Sequence, residues 1–248
     1  MKIQDFFSEN PRVAVAFSGG VDSSYLLYAA KEAGCDVHAY IAGTQFQPEF
    51  ERNDALRLAE SINVAVTIAA LDLSDNQNIA QNPADRCYYC KTAILSTLWE
   101  LARADGYTVL CDGTNADDDE TDRPGMRALR EQGVVSPLRD SGLTKEEIRR
   151  LSRQAGLFTH DKPSYACLAT RIPTGTPITE KYLKTIENAE NNIFDMGFSD
   201  FRVRLLPPDG AMLQLPEAQL DAAAARRAEI LAALLPYVRN VVLDLTPR

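Results

Sequence analysis

The chain predicts an α/β fold: a doubly wound parallel sheet followed by a small C-terminal α+β domain. Three observations carry this. Short apolar runs alternate with helical patterns over the first two thirds of the chain, as in strands joined by crossover helices. The first run, Val13-Ala14-Val15-Ala16-Phe17, passes straight into Ser18-Gly19-Gly20-Val21-Asp22-Ser23 and then an apolar-rich helix. After about residue 172 the texture changes, beginning with the Pro/Gly/Thr connector Ile172-Pro173-Thr174-Gly175-Thr176-Pro177. The expected domains are therefore 1–172 and 173–248.

In the first domain, strands are expected at 13–17, 37–42, 64–69 and 108–111, and helices at 24–33, 49–61, 93–105 and 145–154. The last helix opens with Thr144-Lys145-Glu146-Glu147, a capping box. Ligands of such sheets bind beyond the C-terminal strand ends, at the switch point. The loops after Phe17, Ala42 and Cys111 should therefore converge on one site. In the second domain a helix at 179–196 leads to a strand at 201–206 and the turn Pro207-Pro208-Asp209-Gly210. A second strand at 211–215, an alanine-rich helix at 216–235 and a final strand at 240–245 follow. The alanines at 222–225 are a candidate subunit contact, and a homo-oligomer is expected. No internal repeat or low-complexity region is present.

Bulk properties fit a soluble enzyme. A length of 248 residues with 45% hydrophobic content suffices for a real core. The net charge is −9, from 35 acidic and 26 basic residues. So acidic a chain is a poor general binder of nucleic acid or anionic membrane. No apolar stretch approaches the ~20 residues needed to span a bilayer. The start, Met1-Lys2-Ile3-Gln4-Asp5, lacks the apolar core of a signal peptide. Five cysteines, an odd count with no sign of secretion, read as reduced thiols in a cytoplasmic protein.

The glycine turn is the strongest functional signal. Gly19 and Gly20 lack a Cβ, so the backbone can bend tightly and approach a ligand. The N–H groups of the helix start then face an anion that the helix dipole favours. Ser18 and Ser23 add hydroxyl donors, and Asp22 can cap the helix or hold Mg²⁺ beside a phosphate. The stretch is not a Walker A loop, because G-x-x-x-x-G-K-[ST] is absent.

Three further constellations stand out. In Arg86-Cys87-Tyr88-Tyr89-Cys90-Lys91, two cysteines three apart at a helix start share one side, where the dipole and flanking cations favour thiolate. Alone, such a pair serves equally as a zinc half-site, a redox pair or an iron–sulfur half-site; no second C-x-x-C closes a zinc site. The stretch Asp161-Lys162-Pro163-Ser164-Tyr165-Ala166-Cys167-Leu168-Ala169-Thr170-Arg171 reads as a functional loop, with Lys162 and Arg171 giving Cys167 a cationic setting. Finally, Cys111-Asp112-Gly113-Thr114-Asn115 leaves a strand end, and Gly113, Thr114 and Asn115 suit a nucleotide contact. The acidic run Asp117-Asp118-Asp119-Glu120 either holds Mg²⁺ or is simply solvated. Cys35, Cys111 and Trp99 read as structural, and His38 and His160 show no ligand pattern.

The Ser18–Ser23 hexapeptide resembles the SGGxDS loop of the PP-loop, or N-type, ATP pyrophosphatases, which implies ATP, Mg²⁺ and cleavage to AMP and pyrophosphate. Several motifs in order extend the likeness over almost the whole chain: AFSGGVDSS, RCYYCK, DGTNADD with RPGMRAL and SPL, KPSYACLATR with IPTG, and FRVR. Together they resemble the LarE ATP-dependent sulfur transferases. The resemblance implies adenylation of a carboxylate of a pyridinium dicarboxylate mononucleotide, a small-molecule nucleotide substrate. Sulfur then replaces oxygen, giving a thiocarboxylate for the nickel-pincer nucleotide cofactor. Some members sacrifice one active-site cysteine, which becomes dehydroalanine; others have three cysteines that hold a [4Fe-4S] cluster carrying the sulfur.

By this resemblance Ser18, Gly19, Gly20, Asp22 and Ser23 form the pyrophosphate loop, and Cys167 is the sulfur-bearing cysteine with Arg171 four residues on. Cys87 and Cys90 are the extra pair, so that Cys87, Cys90 and Cys167 would ligate the cluster and leave one iron without a protein ligand. Arg204 and Glu190 match residues implicated in substrate binding. Two departures bear on substrate and assembly: Met212-Leu213-Gln214-Leu215 replaces an Arg-Ile-Glu strand, and the Gly-Tyr-Arg-Ser-Gly ending is absent. Other readings use the same loop. An ammonia-using adenylating ligase, of the GMP or NAD synthetase kind, would not need the three cysteines. A tRNA thiolase would need a basic RNA surface, against the charge found here. A non-catalytic nucleotide sensor is suggested only by the altered C-terminus.

Overall fold

A computed structural model describes residues 2–118 and 124–248. The chain divides into two units: Met1–Leu73 with Asp85–Lys162, and Ser74–Ala84 with Pro163–Arg248. The expected break at residue 172 thus falls inside the second unit, which also takes in the Cys167 loop and the stretch from Ser74 to Ala84.

The first unit contains α1 (Ile3–Glu9), β1 (Arg12–Ala16), α2 (Val21–Glu32), β2 (Asp36–Gly43), α3 (Glu49–Ser61) and β3 (Ala65–Ala70). After a short helix of the other unit, α4 (Gln77–Ala80), it resumes with α5 (Arg86–Ala104), β4 (Leu110–Asp112), α6 (Pro124–Glu131), α7 (Pro137–Asp140) and α8 (Lys145–Gln154). The strands form one parallel sheet in the order β3-β2-β1-β4. Arg12 pairs with Asp36, His38 with Ala65 and Ala14 with Leu110.

Side chains alternate across β1 and both faces are covered, as a parallel sheet requires. Val13 and Val15 point into a core built from Phe6 and Phe7 of α1, Leu26 and Leu27 of α2, Leu58 of α3 and Ile148 of α8. Ala14 faces the opposite way, onto Leu95, Leu98 and Trp99 of α5 and Met126 and Leu129 of α6. Chain order runs outward through β2 and β3 on one side of β1 and places β4 on the other. The switch point therefore lies between the C-terminal ends of β1 and β4.

The second unit contains α9 (Glu180–Asp195), β5 (Arg202–Leu206), β6 (Gly210–Gln214), α10 (Glu217–Ala225), α11 (Arg227–Leu234) and β7 (Asn240–Leu243). Its sheet has the order β5-β6-β7, antiparallel then parallel. Ile193, Phe198, Phe201, Val203, Leu213 and Leu234 fill its core. The α4 segment joins this unit through Asn82, whose side chain donates to the carbonyls of Ile172 and Pro173 at 3.2 and 2.9 Å. Its own carbonyl accepts the Gly175 N–H at 2.8 Å.

Candidate active site

The turn from β1 to α2 is built as the glycines require. Gly19 has φ +77°, in the left-handed region, and a Cβ there would stand 2.7 Å from Ala55 Cβ and 3.2 Å from the Glu51 carbonyl of α3. No side chain fits. Gly20 is the N-cap of α2, in extended conformation and without a side-chain capping bond. This corrects the expectation that Asp22 caps the helix: Asp22 lies in its first turn. The Ser18 and Ser23 hydroxyls lie 3.0 Å apart, and Ser23 Oγ donates to the Gly20 carbonyl at 3.3 Å. The turn is tied by its own serines, while the N–H groups at a helix start lack intrahelical partners.

The loop after β4 closes on this turn. A Cβ on Gly113 would meet the Ser23 backbone nitrogen at 2.7 Å, so glycine lets the two loops touch. Asp112, at the end of β4, accepts from Thr114 Oγ1 at 2.5 Å and from Ser136 Oγ at 2.7 Å. Lys91 Nζ of α5 stands 3.8 Å from Asp112 Oδ2, the oxygen that Thr114 also reaches. Asn115 Oδ1 accepts the Asp117 N–H at 2.9 Å, and Asp118 accepts the Asn115 N–H at 3.0 Å. Thr114 and Asn115, expected as nucleotide contacts, thus spend these side-chain bonds on shaping the loop. Of the acidic run, Asp119 and Glu120 lie outside the described residues, as does Arg123 of the RPGMRAL stretch.

Two lysines complete this end of the sheet, neither of them singled out for it by sequence. Lys145, the first residue of α8, places Nζ 2.5 Å from Asp22 Oδ2. Its backbone N–H donates to Asp117 Oδ2 at 2.7 Å. Asp22 Oδ1 is buried and has no hydrogen-bond partner. Lys162 Nζ lies 3.1 Å from Glu51 and 2.9 Å from Asp54 of α3, and donates to the Gly19 carbonyl at 3.5 Å. Burial raises the Glu51 carboxyl above its ordinary value, partly offset by Lys162. A lysine one residue before a proline gives no periodic signal, and only the folded chain brings it to α3.

Mg²⁺ and a nucleotide fit this corner. The glycine cradle a Cβ would fill suits close approach of phosphate oxygens, and the orphaned Asp22 oxygen suits a hard cation.

Cys87 and Cys90 stand in the first turns of α5, on which Arg86 Nη2 lies 3.8 Å from Cys87 Sγ. Cys87 is exposed and Cys90 half-buried, and no disulfide joins any of the five cysteines. Cys35 and Cys111 are buried. Burial pushes both thiols above their ordinary range, more strongly at Cys111. Among the described residues no group of three or more His, Cys, Asp or Glu side chains stands arranged to hold a metal ion. Cys87 and Cys90 belong to the first unit and Cys167 to the second.

In the second unit Cys167 is exposed and caps a 3₁₀ turn, Leu168–Arg171. Its carbonyl accepts from Thr170 Oγ1 at 2.8 Å and from Arg171 Nη1 at 3.4 Å. Arginines hold this loop by its backbone. Arg171 Nη1 binds the Ala166 carbonyl at 2.8 Å, Arg202 Nη2 that of Ser164 at 2.8 Å, and Arg204 Nη1 that of Thr170 at 2.9 Å. Arg171, expected to give the thiol a cationic setting, gives Nη1 to the loop's carbonyls.

Glu190, expected at the substrate, is 1% exposed. It takes Arg171 Nε and Nη2 at 2.9 and 3.2 Å, the Val203 N–H at 2.8 Å and the Tyr165 hydroxyl. Arg204 also donates to Gln214. Tyr165 lies between Arg171 and Arg202, whose guanidinium carbons stand 4.4 and 5.4 Å from its ring centre. Burial, reinforced by Glu190, drives the Tyr165 hydroxyl upward; burial and Arg171 bring Arg202 down to about 10. Arg202 and Tyr165 were not named as site residues. The alternation of a strand gives the signal for Arg202, because positions 202 and 204 share a face.

Comparison with known proteins gives the family. A family model described as asparagine synthase matches residues 7–118. An uncharacterized protein of Synechocystis sp. is 36% identical over 88% of this chain and 82% of its own. The pyridinium-3,5-bisthiocarboxylic acid mononucleotide synthase of Lactiplantibacillus plantarum is 33% identical over 84% of this chain and 76% of its own. An uncharacterized protein of Methanocaldococcus jannaschii is 30% identical over 79% and 75%. With the glycine turn at the switch point and likenesses that cover 79% to 88% of its length, the chain belongs to the LarE family of ATP-dependent sulfur transferases.

Proposed function

We propose that the protein adenylates a carboxylate of a pyridinium dicarboxylate mononucleotide and converts it to a thiocarboxylate for a nickel-pincer nucleotide cofactor. The observation that carries this is the Ser18–Ser23 turn, an anion cradle at the switch point of a chain whose L. plantarum relative is named for that bisthiocarboxylic product. A carboxylate oxygen is a poor leaving group. Attack of that oxygen on the α-phosphorus expels pyrophosphate, and attack of sulfur on the acyl carbon then expels AMP.

The chain's own residues supply binding and charge. Backbone N–H groups at the start of α2, with Ser18 and Ser23, hold the departing pyrophosphate. Asp22 would hold Mg²⁺, which when bound would neutralise charge on the phosphates. Gly113 keeps the second loop close, and Thr114 and Asn115 hold its shape. Arg171, Glu190 and Arg204 fix the loop that carries Cys167. The two units act as an adenylating domain and a small C-terminal α+β domain, in a homo-oligomer.

For the sulfur source we favour the three-cysteine route, in which Cys87, Cys90 and Cys167 would hold a [4Fe-4S] cluster, and the chemistry such a cluster would supply is sulfide transfer. Anaerobic purification with iron and sulfide analysis tests this. Four irons per chain, lost in Cys87→Ala and Cys90→Ala, are expected. A stoichiometric dehydroalanine at position 167 after turnover, with both variants still active, would overturn the cluster in favour of a sacrificial Cys167.

A further inference from the structure

We propose that Lys145 is a placeholder cation: in the nucleotide-free enzyme its ammonium occupies the place on Asp22 that a divalent cation takes with ATP. Once displaced, it becomes a ligand of the pyrophosphate. This rests on the ATP reading above.

The Asp22 carboxylate is asymmetric. Oδ2 is paired with Lys145 Nζ at 2.5 Å, whereas Oδ1 is buried without a donor. An unsatisfied carboxylate oxygen beside a glycine cradle is costly for a resting state. It is suited to a hard, oxygen-seeking cation. The carboxylate is thus half used, by a charge that can be exchanged.

Lys145 is built to exchange. Its backbone is pinned twice: the N–H is held by Asp117 Oδ2 at 2.7 Å, and the preceding residue forms the Thr144–Glu147 capping box. The side chain is a flexible stem ending in a compact point charge, 31% exposed, so the ammonium can leave without moving α8. A divalent ion on Asp22 would lie within a few ångströms of that ammonium and repel it. The phosphate chain in the same cradle then offers a compensating charge, and lysine serves phosphate well as a point charge. Asp117, already bound to the Lys145 N–H, keeps the base of the side chain beside the cradle throughout.

The test is manganese(II) binding to the full-length, nucleotide-free protein, read from the EPR signal of free Mn²⁺. Lys145→Met should bind Mn²⁺ about tenfold more tightly than wild type, because the competing cation is gone. Lys145→Arg should restore weak binding, and Asp22→Asn in the Lys145→Met background should erase the gain. If Lys145→Met does not fold, Lys145→Gln carries the same expectation. In the wild type, inorganic pyrophosphate should compete with ATP, and Lys145→Met should weaken that competition by about tenfold. Unchanged Mn²⁺ affinity in the neutral variants overturns the placeholder, and unchanged pyrophosphate competition overturns the second half. A wild-type enzyme that releases no pyrophosphate from ATP refutes the ATP reading instead, while the manganese titration still decides what occupies Asp22.

Discussion

Gly19 carries two constraints at once, a φ of +77° and a neighbour, Ala55 Cβ, 2.7 Å from where its own Cβ would be. Either alone disfavours a side chain. Gly19→Ala should therefore cost about 1–2 kcal/mol or more for the left-handed backbone alone, with pyrophosphate release lost as well. Urea denaturation reads the first effect and a pyrophosphate assay the second; unchanged values in both would contradict the cradle. Asp22→Ala and Ser18→Ala should abolish pyrophosphate release while the chain still folds. At this scale much was legible, because the serines, glycines and aspartate of the turn are contiguous and need no tertiary information. Lys145 was not legible as a site residue, and Lys162 only as a cation for the Cys167 loop. Their ammonium groups reach Asp22 and Glu51 from far along the chain. Glu190 was legible only through the family resemblance, as a residue implicated in substrate binding, and the structure shows it sealed inside an ion pair.

At the scale of elements, α8 couples sequence to site most directly. Thr144 Oγ1 accepts the Glu147 N–H at 3.3 Å, and the Glu147 carboxylate takes the Thr144 N–H and hydroxyl at 3.0 Å each. These bonds hold the Glu147 carboxyl below its ordinary value of 4.5. Its folded-state value being depressed, the box stabilises above the unfolded value and is lost as pH falls through the folded one. Melting curves from pH 7 to pH 3 should show the wild type converging on Glu147→Gln at the acid end; a constant gap would contradict the box. Thr144→Ala, losing an N-cap, should cost about 1 kcal/mol. The box and the extent of α8 were both readable, as were α3 and the strands to within two residues. Helix α5 runs from Arg86 without a break, joining the helix start read at Cys87 and Cys90 to the helix expected from residue 93; the charged and aromatic RCYYCK stretch has no apolar stripe that would have linked the two. The expected helix at 216–235 is two helices broken at Arg226, where neither proline nor glycine marks the break.

On the scale of the whole molecule, the parallel sheet and the two-faced burial of β1 followed from alternation of strand and helix, whereas the strand order came only from the fold. The division of the chain did not follow from it either. A composition shift marks residue 172, but the second unit begins at Pro163 and recruits Ser74–Ala84 through hydrogen bonds of Asn82 that only the fold reveals. The buried pair Arg171–Glu190, at 0% and 1% side-chain exposure, holds that unit's functional loop to α9. Removing one partner leaves a buried charge uncompensated, so Glu190→Ala should destabilise the protein by about 3–5 kcal/mol. A shift in the urea midpoint checks this, and a midpoint equal to wild type would show that water already solvates the pair. No described helix is long and apolar enough to cross a membrane. The measurement that bears most directly on the central claim is anaerobic turnover of the intact protein with ATP and the dicarboxylated pyridinium mononucleotide, set beside bulk tRNA. The account predicts AMP and pyrophosphate in equal amounts and a mononucleotide with one carboxylate oxygen replaced by sulfur, with no stimulation by tRNA. Release of ADP and orthophosphate, or turnover driven by tRNA alone, would contradict it.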